Sequence, residues 1–174
     1  LAPVVVGYVW KFILNVDFGF VSSVLKAIGL EPVSLLGSTQ WALPTIILVN
    51  TWQHTPFALL LFLAGLAGLD KNTFEAARID GASALQTVLY VTIPLLKRVI
   101  AVVVAVRTYS VFKVFEEIFV LTEGGPAGVT STLTYYLYKE GFVNFNTGIA
   151  NALSVVMMIV ILAIVGLYVR LMEE

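Results

Sequence analysis

Four apolar stretches constrain any fold open to this chain: Leu1 to Leu14, Trp41 to Leu69, Leu95 to Leu121 and Asn146 to Arg170. A helical bilayer crossing needs about 20 consecutive, mostly apolar residues, because the ~30 Å hydrocarbon core offers the backbone no water to bond. The last three stretches meet that length, and the first is only a partial span. Composition agrees: 59% of the 174 residues are apolar, 12% are charged and the formal net charge is -1. That balance argues against a nucleic-acid binder and against a soluble domain. The expected fold class is therefore an all-α membrane protein, a polytopic helical bundle forming a single domain over 1–174. Residue 1 is Leu and no Met occurs before Met157, so further spans are expected upstream. With no cysteine there is no disulfide framework, thiolate metal site or cysteine nucleophile.

Loop charges give an orientation. Lys71, Arg78, Lys97 and Arg98 lie between the second and third stretches and Arg170 at the C-terminal edge, against Lys11, Lys26 and Lys139 on the other side. The positive-inside rule then places residues 70–94 and the C-terminus in the cytoplasm, and the loops around Asp17 to Gln40 and Thr122 to Phe145 outside. Trp41 and the group Tyr135, Tyr136 and Tyr138 sit at the proposed outer boundary and Tyr168 at the inner one, where amphipathic rings favour headgroup depth. In "LTEGGPAG", Gly124, Gly125 and Pro126 supply turn chemistry that ends the third stretch.

The cytoplasmic segment "DKNTFEAARIDGASALQTVLYVTIP" is unlike its surroundings. Asn72 is positioned to cap a helix whose third residue is Glu75, and Ser83 to cap another whose third residue is Gln86. Gly81 between them permits a left-handed helix exit, and Pro94, lacking a donor, is expected to halt the second helix. The pattern predicts a helix, a glycine turn and a helix, with Phe74, Ala77, Leu85, Val88 and Leu89 at helical spacing along an apolar face. Such a face suits an interfacial connector with Glu75 as a mere capping carboxylate, or a docking element with a partner.

"EAA" followed by "DG" and then "IP" resembles the cytoplasmic loop of binding-protein-dependent ABC transporter permeases, a Glu-Ala-Ala pattern with a Gly four residues on and a hydrophobic residue before Pro. The matching positions are Glu75, Ala76, Ala77, Gly81, Ile93 and Pro94; the family more often has Leu at the place of Ile93. "WQHTPFALLLFLAGL", "FKVFEEIFVLTEGGP" and "YYLYKEGF" narrow the resemblance to the carbohydrate-uptake branch, related to maltose, glycerol-3-phosphate and polyol systems, from about residue 3 to the C-terminus. The resemblance implies that Glu75, Ala76, Ala77, Asp80 and Gly81 couple the spans to a cytoplasmic ATPase. It implies four kinds of partner: a second permease subunit, ATPase subunits, an extracytoplasmic solute-binding protein, and the lipid of a bacterial or archaeal cell (inner) membrane. The pair "GK" occurs nowhere, so no P-loop is present and ATP and Mg are expected on the ATPase, with no cofactor bound by this chain.

Polar residues at membrane depth suggest a solute pathway. "NTWQHT", Asn50 to Thr55, precedes a potential kink at Pro56 near mid-bilayer, and Arg107 lies ~18 Å along the third stretch at ~1.5 Å per residue. Polar groups at such depth face a bundle interior or a wet cavity. His54 has no second metal ligand at helical spacing, which favours a hydrogen-bonding role over a metal site. Lys113 with Glu116 or Glu117 has the i,i+3 and i,i+4 spacing of an ion pair, whereas no acid stands three or four residues from Arg107. Asn151 and Ser154 share a face and suit either helix contact or pathway lining; Gly65 and Gly68 suit close helix approach. Carried over from the maltose-type resemblance, the pathway positions are Asn50, Gln53, His54 and Phe57 on the second stretch and Arg107, Ser110, Val111 and Val114 on the third. The expected function is the permease subunit of an ATP-driven importer for a sugar, oligosaccharide or polyol. The alternatives are an ion-gradient-driven secondary transporter and an importer of the same class for a non-carbohydrate solute. No nucleophile–base pair or metal cluster supports an enzyme.

Overall fold

The computed structural model describes residues 2–173, with the side chains of 169 and 171–173 left aside. The described elements are helical: α1 (Pro3–Ile13), α2 (Phe20–Ala27), α3 (Ala42–Ala67), α4 (Lys71–Ile79), α5 (Ala84–Thr87), α6 (Ile93–Leu95), α7 (Lys97–Phe112), α8 (Glu116–Leu121), α9 (Leu133–Tyr138) and α10 (Thr147–Glu173). Two π-helical turns, Val88–Thr92 and Lys139–Val143, are inserted between α5 and α6 and between α9 and α10. By length and hydropathy, Ala42–Ala67 and Thr147–Tyr168 are long and apolar enough to cross a membrane. The chain divides into two compact units, Leu1–Gln53 with Ser110–Ile161 and His54–Tyr109 with Leu162–Glu174.

In the first unit, Val6 and Leu14 of α1, Ile46 and Val49 of α3, and Ile118 and Leu121 of α8 form one buried cluster, with Trp10, Val21, Leu35, Leu36, Val114 and Tyr135 packed on it. Gly7 brings α1 and α8 together: a Cβ there would stand 3.0 Å from Val120 Cβ. Lys11 Nζ donates to Val120 O at 2.8 Å, so this lysine secures the end of α8. In the second unit, a Cβ on Gly65 would lie 2.8 Å from Val99 Cγ2, the close approach expected for that glycine. Ser154, by contrast, donates to the carbonyl of Ala150 in its own helix at 2.8 Å.

The stretch Leu95 to Leu121, expected as one crossing, is broken twice. The helices Ala84–Leu95 and Lys97–Phe112 meet at a bend of 68°, and α7 ends at Phe112, with α8 starting at Glu116. No Gly or Pro marks the second break; partners elsewhere make it tolerable. Thr134 Oγ1 donates to Phe112 O at 2.9 Å and Thr132 Oγ1 to Val114 O at 3.2 Å, satisfying carbonyls that a helix interruption strands. The i,i+3 and i,i+4 relation of Lys113 to Glu116 and Glu117 therefore does not exist as helix geometry. Pro94 stands one residue before its helix ends: the helix that opens at Ala84 stops at Leu95, at the 68° bend, and Thr92 Oγ1 donates to Thr87 O at 3.2 Å alongside the π turn that precedes the proline.

Candidate functional site

The segment after α3 has the helix, turn, helix form that its sequence predicts, with one change of cap. Asp70, in an extended conformation, is the N-cap of α4, and its Oδ1 accepts from Asn72 N at 3.0 Å. Asn72 lies inside the helix, contrary to its expected capping role, because the carboxylate two residues earlier already takes that amide. At the other end Gly81 has φ +77°. Its N–H bonds Arg78 O at 3.1 Å and the Ala82 N–H bonds Ala77 O at 2.9 Å, the paired bonds of a Schellman exit. Ser83 then opens α5 with the expected capping box: Ser83 Oγ accepts from Gln86 N, and Gln86 Oε1 accepts from Ser83 N at 2.8 Å. The reversal is thus fixed by local hydrogen bonds.

Its exposed surface differs from the predicted face. Phe74 and Ala77 are half-buried, with α4 packed on the π turn. The large apolar groups left outside are Ile79 at 86%, Tyr90 at 76% and Leu85 at 68%, joined by Val88 and Leu89. Tyr90 falls outside the predicted face because it lies in the π turn, which shifts the angular register that a 3.6-residue period assumes, and Ile79 is the last residue of α4, next to the glycine reversal. Glu75, Ala76 and Asp80 are exposed alongside. An ordered reversal with charged flanks and bare apolar side chains is suited to seating in a complementary cleft.

The residues expected along a pathway fall in both units. Asn50, Gln53, Ser110, Val111 and Val114 belong to the first, and His54, Phe57 and Arg107 to the second. Asn50 is buried on α3, and its Nδ2 donates to Oε1 of Glu117 at 3.0 Å. Gln53 follows at i+3 on the same helix face, with Oε1 buried and accepting no hydrogen bond among the described residues. Val114 packs on the apolar cluster, whereas Val111 and Phe57 are about half-exposed. Glu117, only 3% exposed, had no assigned place beyond a local ion pair. A bond between residues 67 apart leaves no periodic signature, and the only sequence signal was an acidic residue at membrane depth.

This geometry belongs to a chain that matches, over residues 1–173, the family described as binding-protein-dependent transport system inner membrane component. The chain is a member of that family. This permease is 43% identical over 164 residues to the probable ABC transporter permease protein y4oQ of Sinorhizobium fredii, covering 94% of this chain and 53% of that protein. It is 36% identical to the trehalose/maltose transport system permease protein MalF of Thermococcus litoralis, covering 92% of this chain and 54% of the relative. To the sn-glycerol-3-phosphate transport system permease protein UgpA of Agrobacterium fabrum it is 35% identical, over 100% of this chain and 59% of the relative. A crystal structure of a bacterial ABC transporter involved in the import of the acidic polysaccharide alginate superposes with a TM-score of 0.90 at 27% identity, covering 99% of this chain and 61% of that one. The permease chain spans a little over half the length of these relatives.

The permease's loop after α9 carries a second ordered polar cluster. Glu140 is buried and its carboxylate accepts from Asn144 Nδ2 at 2.9 Å and Asn146 Nδ2 at 2.8 Å. These bonds, Asn146 first, with Tyr136 and the charge of Lys139 nearby, hold its carboxyl below the usual range despite an opposing desolvation. A depressed folded-state pKa contributes stability that is complete above the ordinary carboxyl value and is lost as pH falls through the folded one. Amide protection at 139–146, the exchange rate relative to that of an unstructured chain at the same pH, is accordingly expected to be full at neutral pH and to fall as pH drops below the ordinary carboxyl range. Glu140→Gln should flatten that acid response, and an unchanged pH profile in this variant would assign the response to another group.

Proposed function

We propose that this chain forms part of a permease subunit of an ATP-driven importer for a sugar, oligosaccharide or polyol. The observation that carries the reading is the Glu75 to Pro94 reversal, ordered by its own caps and glycine exit, with Ile79, Leu85 and Tyr90 exposed. Such a surface suits docking on a cytoplasmic ATPase, with Glu75 set to meet a basic side chain. Residues 70–94 and the C-terminus face the cytoplasm in this reading. ATP and Mg are bound and hydrolysed on separate ATPase subunits, the permease itself being neither an enzyme nor a cofactor carrier. A second permease subunit completes the pathway and an extracytoplasmic solute-binding protein delivers the solute; a solved alginate transporter at 27% identity is described in complex with an alginate-bound periplasmic protein, which supports that partner. The carbohydrate and glycerol-phosphate names of the relatives support the solute class.

The deciding experiment reconstitutes the complete transporter with its binding protein in liposomes and follows labelled maltose, trehalose and glycerol 3-phosphate. Uptake is expected only with ATP, and it should persist when an uncoupler collapses ion gradients. Uptake abolished by the uncoupler with ATP still present would favour a secondary transporter and overturn the proposal.

A further inference from the structure

The loop between α9 and α10 carries bare apolar side chains on a backbone whose amides find partners within the loop. Phe145 is 78% exposed, Phe142 70% and Val143 52%. Asn144 N donates to Lys139 O at 2.8 Å, Asn146 N to Glu140 O at 2.8 Å and Thr147 N to Phe145 O at 3.0 Å. The Glu140 carboxylate, itself buried, takes the side-chain amides of Asn144 and Asn146. A loop in free solution needs no such closure, because water supplies the partners. Polar groups bonded to one another, with large apolar groups left outside, suit a medium poor in water. The Phe142 ring also stacks on Tyr138 at 5.7 Å, and Tyr138 meets Phe115 at 5.0 Å and Phe119 at 5.5 Å edge-on, so the exposed ring is joined to an aromatic group in the body of its unit.

The place of the loop along α10 sets its depth. The apolar span Thr147–Tyr168 has 22 residues, ~33 Å at ~1.5 Å per residue, which matches the ~30 Å hydrocarbon core. Thr147 therefore stands at one edge of that core, and Phe145, two residues before it, at headgroup depth. The exposed Met158, Ile159, Val160, Leu162 and Val165 of the same helix spread over ~220° at ~100° per residue, wider than the ~100° stripe that one packed neighbour covers. Lipid thus meets part of this span, and the loop continues that surface past its end.

We propose that Phe142, Val143 and Phe145 form an interfacial anchor, seated between the headgroups and acyl chains of the leaflet at the Thr147 end of α10, with Glu140 holding the loop in the shape that presents them. Aromatic rings favour that depth. The occupant is lipid, and the inference is independent of which solute the permease carries.

The chain contains no cysteine, so a single substitution can carry a nitroxide label. Phe142→Cys, Val143→Cys and Phe145→Cys are labelled in the complete transporter, with cysteine-free partner subunits, in vesicles of phosphatidylethanolamine and phosphatidylglycerol. Collisions with oxygen, which concentrates in lipid, are compared with those of a water-soluble nickel chelate, and spin-labelled lipids calibrate depth. The oxygen-to-nickel ratio at 142, 143 and 145 is expected to exceed that of a label at Glu31, a charged exposed position, by about three- to tenfold, at a depth between the phosphates and the first acyl carbons. Nickel access equal to that at Glu31 would place the loop in water, and low collision rates with both reagents would place it under a protein partner; either result overturns the proposal. Glu140→Ala is expected to lower the ratio at 145 by about half or more, whereas Glu140→Gln, which keeps a carbonyl acceptor for the two asparagines, should retain most of it. An unchanged ratio in Glu140→Ala would overturn the part given to Glu140 and leave the lipid contact standing.

Discussion

Gly81→Val in the complete transporter is expected to reduce ATP-driven uptake by about thirtyfold or more, with the protein still present in the membrane. Gly81 stands at φ +77°, and the Schellman bonds of α4 depend on that conformation. A left-handed backbone costs a non-glycine residue roughly 1–2 kcal/mol, and more for a β-branched one, so each 1.4 kcal/mol lowers the population of the native turn tenfold. Space inside the chain is not the constraint, because a Cβ built on Gly81 meets nothing within 4 Å. That separates two causes. If backbone conformation matters, Gly81→Asn should be milder than Gly81→Ala, since asparagine tolerates the left-handed region. If the added side chain instead collides with a docked ATPase, the smaller alanine should be the milder change. Glu75→Ala keeps an exposed helix position and is expected to lose uptake with little change in stability. Wild-type uptake by both Gly81→Val and Glu75→Ala would remove the coupling role.

That reversal was legible in the sequence because its determinants are local. Ser83 and Gln86 meet across three residues, and the Gly81 exit needs only one residue without a Cβ. Even here short-range competition altered a detail, with Asp70 taking the cap expected of Asn72. The break between α7 and α8 was not legible. Nothing in "VFKVFEE" interrupts a helix by propensity, and the carbonyls of Phe112 and Val114 are satisfied by Thr134 and Thr132, about twenty residues downstream. The Asn50–Glu117 bond is likewise long-range, so hydropathy placed both residues at membrane depth without pairing them. Local chemistry could be read from spacing; the polar interior depends on which helices meet.

The turn "LTEGGPAG" offers the clearest stability test, because two of its glycines share a backbone conformation but not an environment. Gly124 has φ +77° and Gly128 φ +79°. A Cβ on Gly128 would meet nothing within 4 Å, whereas one on Gly124 would stand 2.6 Å from Cε1 and 2.9 Å from Cδ1 of Tyr135. That ring packs on the core cluster, with the Phe115 ring at 6.3 Å, so it has little freedom to retreat. Gly128→Ala is therefore expected to cost only the backbone penalty, about 1–2 kcal/mol. Gly124→Ala should add roughly 1–3 kcal/mol of overpacking to that penalty. In thermal unfolding of the detergent-solubilised protein, Gly124→Ala should lower the midpoint by roughly 5–15 °C and Gly128→Ala by clearly less. Tyr135→Ala removes the obstructing ring, so in that background the Gly124→Ala penalty should shrink toward that of Gly128→Ala, leaving the backbone part. Equal penalties for the two glycines in the presence of Tyr135 would mean that the ring yields at no cost, and the tight Gly124–Tyr135 contact would then contribute nothing to holding this turn against the core.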